Sequence, residues 1–285
     1  MPRIKVITDG SIDVPAQEVE QYDIMIVPPI VHIDGRDYRS GVDIQPEEFF
    51  VKQAEAKAMP TTSQPSPGEF VEAFQEALRT HDEILYVGIS SALSGTLNSA
   101  RQATTEFPDA QITLVDTHTL SAAGGMQVIA AARVLDAGGS LDEAVAATRR
   151  THEDTTLLFA LKDLTYLIKG GRIGRAAGAV GQLLSICPIL TVDPEDGALA
   201  PLTRVRTFKK TFNTLISRAE MLVGEGGAAR FVVLRGTLGD EADRMQEVLR
   251  EKFDVRWMRE VVPAPTLLAH TGPNAVGIVV SKGDW

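Results

Sequence analysis

The chain has 285 residues and carries 28 Lys and Arg against 38 Asp and Glu, a formal net charge of −10. That acidic balance argues against general nucleic-acid binding, which needs an excess of cations on one face. Apolar residues at 44% and charged residues at 23% are a globular composition. No apolar run approaches the ~18 residues that stable membrane insertion requires.

The length fits about two domains of ordinary size. Short β-branched runs alternate with helical patterns along the chain, which predicts an α/β fold. The first strand, "RIKVIT" at 3–8, begins almost at once, where a signal peptide would carry an apolar core, so a cytoplasmic protein is expected. A strand at 24–33 is followed by a helix at 46–58, and a second helix at 67–80 again has Pro at its first turn with acids just after it. Strands follow at 83–89 and 111–116, with helices at 95–106, 121–137 and 140–153. The strand at 155–160 marks the expected division into domains of 1–155 and 156–285. Beyond it come a helix at 174–184 and strands at 186–192 and 199–206, with "DPEDGAL" at 193–199 as a hairpin tip. Helices at 208–223 and 239–252 alternate with strands at 229–235, 254–262 and 276–281. Cys187, the one cysteine, has no partner for an internal disulfide, and in "ICPIL" it reads as a buried, inert thiol.

Hydroxyl-rich junctions stand out between these elements. They are "PTTSQPS" at 60–66, "SSALSGT" at 90–96 and "DTHTLSAAGG" at 116–125, with "TDGSID" at 8–13 as a fourth. Ser and Thr are good helix N-caps, which explains any one of them. Several at equivalent ends of one sheet also make a place for a small anionic headgroup, because strand ends and helix starts point free N–H groups outward.

The cations are distributed unevenly. Leu164 to Val192 contains no Asp or Glu and holds Lys169, Arg172 and Arg175; Gly197 to Ala219 is equally acid-free and holds Arg204, Arg206, Lys209 and Lys210. Strand alternation places Arg204 and Arg206 on one face. Either these are two solvated faces or they form a local positive patch for an anionic ligand or an acidic partner. Gly171, Gly174, Gly178 and Gly181 make a bare stripe on the expected helix. That stripe fits close helix packing and room for a long apolar ligand equally well.

Several chemistries lack their motifs. There is no GxxxxGK[ST], "GGRIG" is not GxGxxG, and "GISSA" at 88–92 lacks the last glycine of a nucleophile elbow. The five histidines include no HExxH, so no metal site is expected. Asp9, Ser94 and His270 can be drawn as a Ser-His-Asp set, a drawing that any chain of this length permits. His270 lies at a turn before the last strand, where it serves equally as a cleft residue or a structural one.

Taken in order, "TDGSID", "TSQPS", "SSALSGT", "VDTHTLSAAGG", "LKDLTYLIKGGRI", "VRTFKK" and "HTGPNAVG" resemble the DegV family from the first strand to the last. The resemblance implies two α/β domains, a Rossmann-like N-terminal one, and a tunnel between them for a long-chain fatty acid such as palmitate, stearate or oleate. In family members that serve as fatty-acid kinase binding subunits, a separate kinase phosphorylates the bound acid. The chain itself is then no enzyme and needs no cofactor. Carried over by motif, the carboxylate meets Thr62, Ser63, Ser94, the Gly95 backbone and His270. Arg172 assists phosphotransfer, and Arg175, Arg204 and Arg206 dock the kinase. Two positions depart from the pattern: Gly10 replaces a hydroxyl residue and Asn274 replaces a glycine. The alternatives are an acyl hydrolase using Ser94 and His270, or a phosphotransfer domain phosphorylated on His270.

Overall fold

A computed structural model describes residues 2–177, 187–237 and 239–285. Three sheets organise them. The first is a parallel sheet of β1 (Ile4–Asp9), β2 (Met25–Val27), β6 (Glu83–Gly88) and β7 (Gln111–Asp116), in the order β2-β1-β6-β7. The second is antiparallel, with β3 (Ile30–Ile33) between β4 (Arg36–Arg39) and β5 (Thr61–Ser63). The third has six strands: β8 (Thr155–Leu161), β9 (Cys187–Val192), β10 (Leu199–Val205), β11 (Ala228–Arg235), β12 (Asp254–Val261) and β13 (Ala275–Lys282). Its order is β10-β9-β8-β13-β11-β12, antiparallel except for β11 with β12.

The helices are α1 (Ala16–Gln21), α2 (Pro46–Glu55), α3 (Pro67–Leu78), α4 (Thr96–Ala103), α5 (Ser121–Asp136) and α6 (Leu141–Asp154). They continue with α7 (Thr165–Lys169), α8 (Lys209–Val223), α9 (Gly239–Lys252) and α10 (Pro265–Thr271). Local chemistry fixes several ends. α3 and α6 each start with a capping box, Ser66 with Glu69 and Ser140 with Glu143. β1 and β6 are buried along nearly their whole length, as parallel strands covered on both faces must be.

Alternation along β8 divides the apolar residues of the six-stranded sheet. Leu158 and Ala160 join Leu215 and Ile216 of α8 and Met245 and Leu249 of α9 in one core. Leu157, Phe159 and Leu161 face the other way and pack with Ala122, Ala123 and Met126 of α5. α5 lies between this sheet and the parallel one, and Ser121 to Ala132 are all buried. Such a helix needs small residues at its contacts. A Cβ on Gly125 would stand 2.2 Å from the carbonyl oxygen of Asp13, so only glycine lets α5 lie against the loop after β1.

The structure corrects the sequence reading at several points. The expected strand 24–33 is two strands in different sheets, broken at Pro28 and Pro29. Proline donates no N–H to a ladder, so the chain leaves the parallel sheet there. Part of "PTTSQPS" forms β5, and His270 sits in the last turn of α10, not in a turn. The short elements α1, β4, α7 and α10 carry too few residues to show a period. Gly174 to Ala176 form a 3-10 turn; the remainder of the helix expected at 174–184, with Gly178 and Gly181, lies outside the described residues apart from Ala177. Among the described residues, no helix is long and apolar enough to cross a membrane.

Candidate functional site

One cavity gathers the polar loops. Its apolar walls come from Leu157 and Phe159 of β8, Leu234 of β11, Gly277 of β13 and Leu267 of α10. Its polar lining comes from the loop after β1 (Ser11), from β5 and the residue after it (Thr62, Ser63, Gln64), and from the junctions after β6 (Ser94, Thr96) and β7 (Ser121). His270 and Thr271 of α10 and Arg172 complete it. Strand ends of an open α/β sheet are where such a cavity belongs. The cavity encloses about 1030 Å³ counted out to its open mouth.

Thr62, Ser63, Ser94, Arg172 and His270, all singled out from the sequence, meet at this cavity. Thr62 Oγ1 and His270 Nε2 are 2.8 Å apart, joining β5 to α10. The other ring nitrogen, Nδ1, is buried without a hydrogen-bond partner among the described residues. It is packed against Gly170, where a Cβ would stand 2.3 Å away. Burial, then the Arg172 guanidinium, pushes the imidazole down to about 4, so it is neutral at pH 7. Arg172 is exposed at the rim and donates from Nη1 to the carbonyl of Gly170 at 2.7 Å. Gly170 of "GGRI" thus contacts both the histidine and the arginine.

Ser94 and Ser63 line the cavity with their hydroxyls partly committed. Ser94 Oγ lies 2.7 Å from Thr96 Oγ1, and Ser63 Oγ lies 3.1 Å from His32 Nε2. Gly95 is the N-cap of α4, and the amide of Gln64 lies over it where a Cβ would be. Gln64 Nε2 in turn donates to Ser99 Oγ at 3.0 Å. Gln64, Thr96, Ser11 and Ser121 were not picked out individually as site residues, although each stands inside a motif that was. The sequence marks the loops but not which side chains turn inward.

The drawn triad does not assemble. Asp9 is bonded to Tyr86 and to backbone N–H groups, Ser94 to Thr96, and His270 to Thr62. Among the described residues, no cluster of three or more His, Cys, Asp or Glu is placed to hold a metal ion. Cys187 is half-buried, and burial raises its thiol.

Arg175, Arg204 and Arg206 lie outside the cavity lining. Arg175 is held by Asp193 at 2.7 Å and by Asp196 at 2.5 Å. Those acids sit on the β9–β10 hairpin tip, so the segment that is acid-free in sequence is not acid-free in space. The same tip is docked on the parallel sheet's loops by Ser90 Oγ to Gly197 O, 2.9 Å, and by His118 at the carbonyl of Glu195, and on α6 by His152 at the carbonyl of Pro194. Arg204 and Arg206 are exposed and form no ion pair among the described residues. β10 ends at Val205, so Arg206 lies one residue beyond the alternation that placed it beside Arg204.

The fold and cavity together make an α/β architecture with a largely apolar cavity whose lining includes hydroxyls, an imidazole and a guanidinium. The chain belongs to the DegV family, whose model, described as "Uncharacterised protein, DegV family", matches residues 3–283. It is 34% identical over 285 residues to a DegV domain-containing protein of Deinococcus radiodurans, covering 100% of this chain and 98% of that one. A solved DegV family protein of Thermus thermophilus, described by its fatty acid binding, superposes with a TM-score of 0.90 at 34% identity over 99% of this chain and 100% of that chain. A stearic acid-binding protein of Eubacterium ventriosum is similar at 25% identity, with a TM-score of 0.89 and 98% of each chain covered.

Proposed function

We propose that this chain binds a long-chain fatty acid and presents its carboxyl group to a separate kinase that forms the acyl phosphate. The observation that carries the binding half is the Thr62–His270 pair, with Ser94 and Arg172 lining the same largely apolar cavity. A carboxylate removed from water needs donors, and these groups supply them. Each methylene removed from water contributes ~0.8 kcal/mol, so a C16–C18 tail supplies most of the affinity while the polar loops fix orientation. Fatty-acid binding by the Thermus and Eubacterium relatives supports the same reading.

The presenting half rests on Arg172 and on the family resemblance. Arg172 is exposed while it lines the cavity, so a second protein has access to the headgroup through it. Exposed Arg204 and Arg206, with Lys209 and Lys210 in the first turn of α8, give an acidic partner a surface to meet. A hydrolase using Ser94 and His270 has less support, because the hydroxyl and the ring are each bonded elsewhere.

The experiment is to purify the chain from a bacterial host without detergent, extract it with solvent and identify lipids by mass spectrometry. About one fatty acid per chain is expected. An extract without lipid, and no thermal stabilisation by added palmitate or oleate, would overturn the proposal.

A further inference from the structure

Another set of polar side chains meets at Ser63, built on strands rather than on loops. β3 lies between β4 and β5, and His32 stands directly opposite Asp37 in that ladder. Ser63 stands opposite Ile30, two residues along β3 from His32, so strand alternation puts Asp37, His32 and Ser63 on one face. The side chains touch there: Asp37 Oδ1 lies 2.6 Å from His32 Nδ1, and His32 Nε2 lies 3.1 Å from Ser63 Oγ. A carboxylate only accepts, so in the neutral ring Nδ1 carries the proton and Nε2 is left to accept from the Ser63 hydroxyl. The order is nucleophile, base and orienting carboxylate, on residues other than Asp9, Ser94 and His270.

Binding a fatty acid does not call for this arrangement. The hydroxyl has one proton, and an imidazole that accepts it draws it away from a ligand carboxylate. The same bond leaves the oxygen more nucleophilic. Ser63 lines the cavity and is also exposed, as is Gln64 after it. A hydroxyl at that boundary can meet an acyl carbonyl whose chain is inside and whose leaving group stays in water. β5 is the outer strand of its sheet, so N–H groups along its far side are unpaired within the sheet. They are the donors nearest along the chain to an oxyanion formed at Ser63.

We infer that Ser63, His32 and Asp37 form a nucleophilic site that cleaves activated long-chain acyl groups, esters or thioesters, and leaves the fatty acid in the cavity. This rests on the fatty-acid reading and adds a reaction that supplies the ligand. Ser63 Oγ bonds to the acyl carbon while its proton passes to His32 Nε2. The bond from that carbon to the leaving oxygen or sulfur breaks, and the leaving group takes the proton from Nε2. Water then attacks the acyl-serine, giving its proton to Nε2 and onward to Ser63 Oγ, so the net change is acyl ester plus water to acid plus alcohol or thiol. Asp37 is 72% exposed at its side chain, so it orients the ring more than it stabilises charge on it.

The test uses the full chain, stripped of lipid, with p-nitrophenyl palmitate and palmitoyl-coenzyme A as substrates and a fluorophosphonate as a covalent probe of the serine. Cleavage of either substrate is expected, and which one is cleaved tells the ester from the thioester. The rate should fall at least ~100-fold in Ser63→Ala and in His32→Ala, the scale of a lost nucleophile or base, and about tenfold in Asp37→Ala. Peptide mass spectrometry of the wild-type chain should find the phosphonyl group on Ser63, which keeps the test decisive if a variant folds poorly. Cleavage that survives in Ser63→Ala, or a label on Ser94, would overturn the inference. So would a wild-type chain that binds palmitate but neither cleaves these substrates nor takes the label, and that result would leave fatty-acid binding intact. Cleavage and labelling at Ser63 in a chain that holds no palmitate would instead keep the nucleophilic site and overturn the fatty-acid reading.

Discussion

His270 Nε2 and Thr62 Oγ1 stand 2.8 Å apart although 208 residues separate them in the chain. The contact joins β5, near the start of the chain, to α10, near its end. Thr62 shares its hydroxyl with a ring that is neutral at pH 7, so an entering carboxylate gains a donor from the pair without displacing an ion pair. Thr62→Val keeps the shape of the side chain and removes that hydroxyl. A hydrogen bond to a charged group is worth about 1.5–3 kcal/mol, which predicts a palmitate affinity weaker by roughly 10- to 150-fold. Titration calorimetry measures it, and an unchanged affinity would remove Thr62 from the headgroup site.

Gly170 predicts a second effect at the same ring. A Cβ there would meet His270 Nδ1 at 2.3 Å and the carbonyl oxygen of Tyr166 at 2.9 Å. The backbone oxygen has little room to move, so the imidazole is expected to turn away from Thr62. Gly170→Ala should therefore cost most of the palmitate affinity while the thermal midpoint falls by only a few degrees. Retained affinity in a folded Gly170→Ala protein would show that the ring's position is not set by this glycine.

Acidity acts on Asp13 and His270 in opposite senses. Asp13 titrates near 6 in the folded chain against an ordinary 3.8, so the folded state holds a proton that the unfolded chain has released. Its stabilisation is complete below about 4 and is lost as pH rises through 6. His270 titrates near 4 against an ordinary 6.5, so its contribution is present above 6.5 and is lost as pH falls toward 4. Each amounts to roughly 3 kcal/mol by linkage, and the two nearly cancel between pH 4 and 6. Asp13→Asn should uncover the histidine: urea stability of that variant is expected to fall by roughly 2 kcal/mol from pH 6.5 to 4.5, while wild type changes little. Parallel pH curves for the two proteins would contradict the assignment.

Much of this site was legible in sequence because its loops carry turn and capping chemistry in a fixed order. The α/β class follows from β-branched runs alternating with helical patterns; the hydroxyl-rich motifs mark the loops, and the resemblance to the DegV family singles out Thr62, Ser63, Ser94 and His270 within them and in "HTGP". What escaped depends on long-range pairing. β5 is three residues that form a strand only because β3 accepts them, and the Pro28–Pro29 break looks like one continuous apolar run. The loops of Ser11 and Ser121 read as donor-rich in sequence; only the structure shows Ser11 N spent on Asp9 and the Ser121 hydroxyl spent on Asp13. Arg175 reads as a free cation until the hairpin brings Asp193 and Asp196 to it.

That last difference yields a prediction about docking. Arg204 and Arg206 are exposed and form no ion pair among the described residues, whereas Arg175 is held by two carboxylates. A cation already neutralised by its own chain adds little to attraction for an acidic partner, and screened surface charge acts mainly on the rate of encounter. The double reversal Arg204→Glu with Arg206→Glu should leave the bound fatty acid unchanged by mass spectrometry and reduce acyl phosphate formation with the partner kinase at least tenfold. On the proposed function Arg172→Ala should likewise retain lipid and lose acyl phosphate, but its loss should persist at saturating kinase, because the role proposed for Arg172 is at the headgroup rather than at the docking surface. Arg175→Ala should keep most of the activity and lower the thermal midpoint through the loosened hairpin. Kinase titrations of the three variants separate these cases. Equal loss in Arg175→Ala and in the double reversal, at unchanged stability, would restore Arg175 to the docking surface.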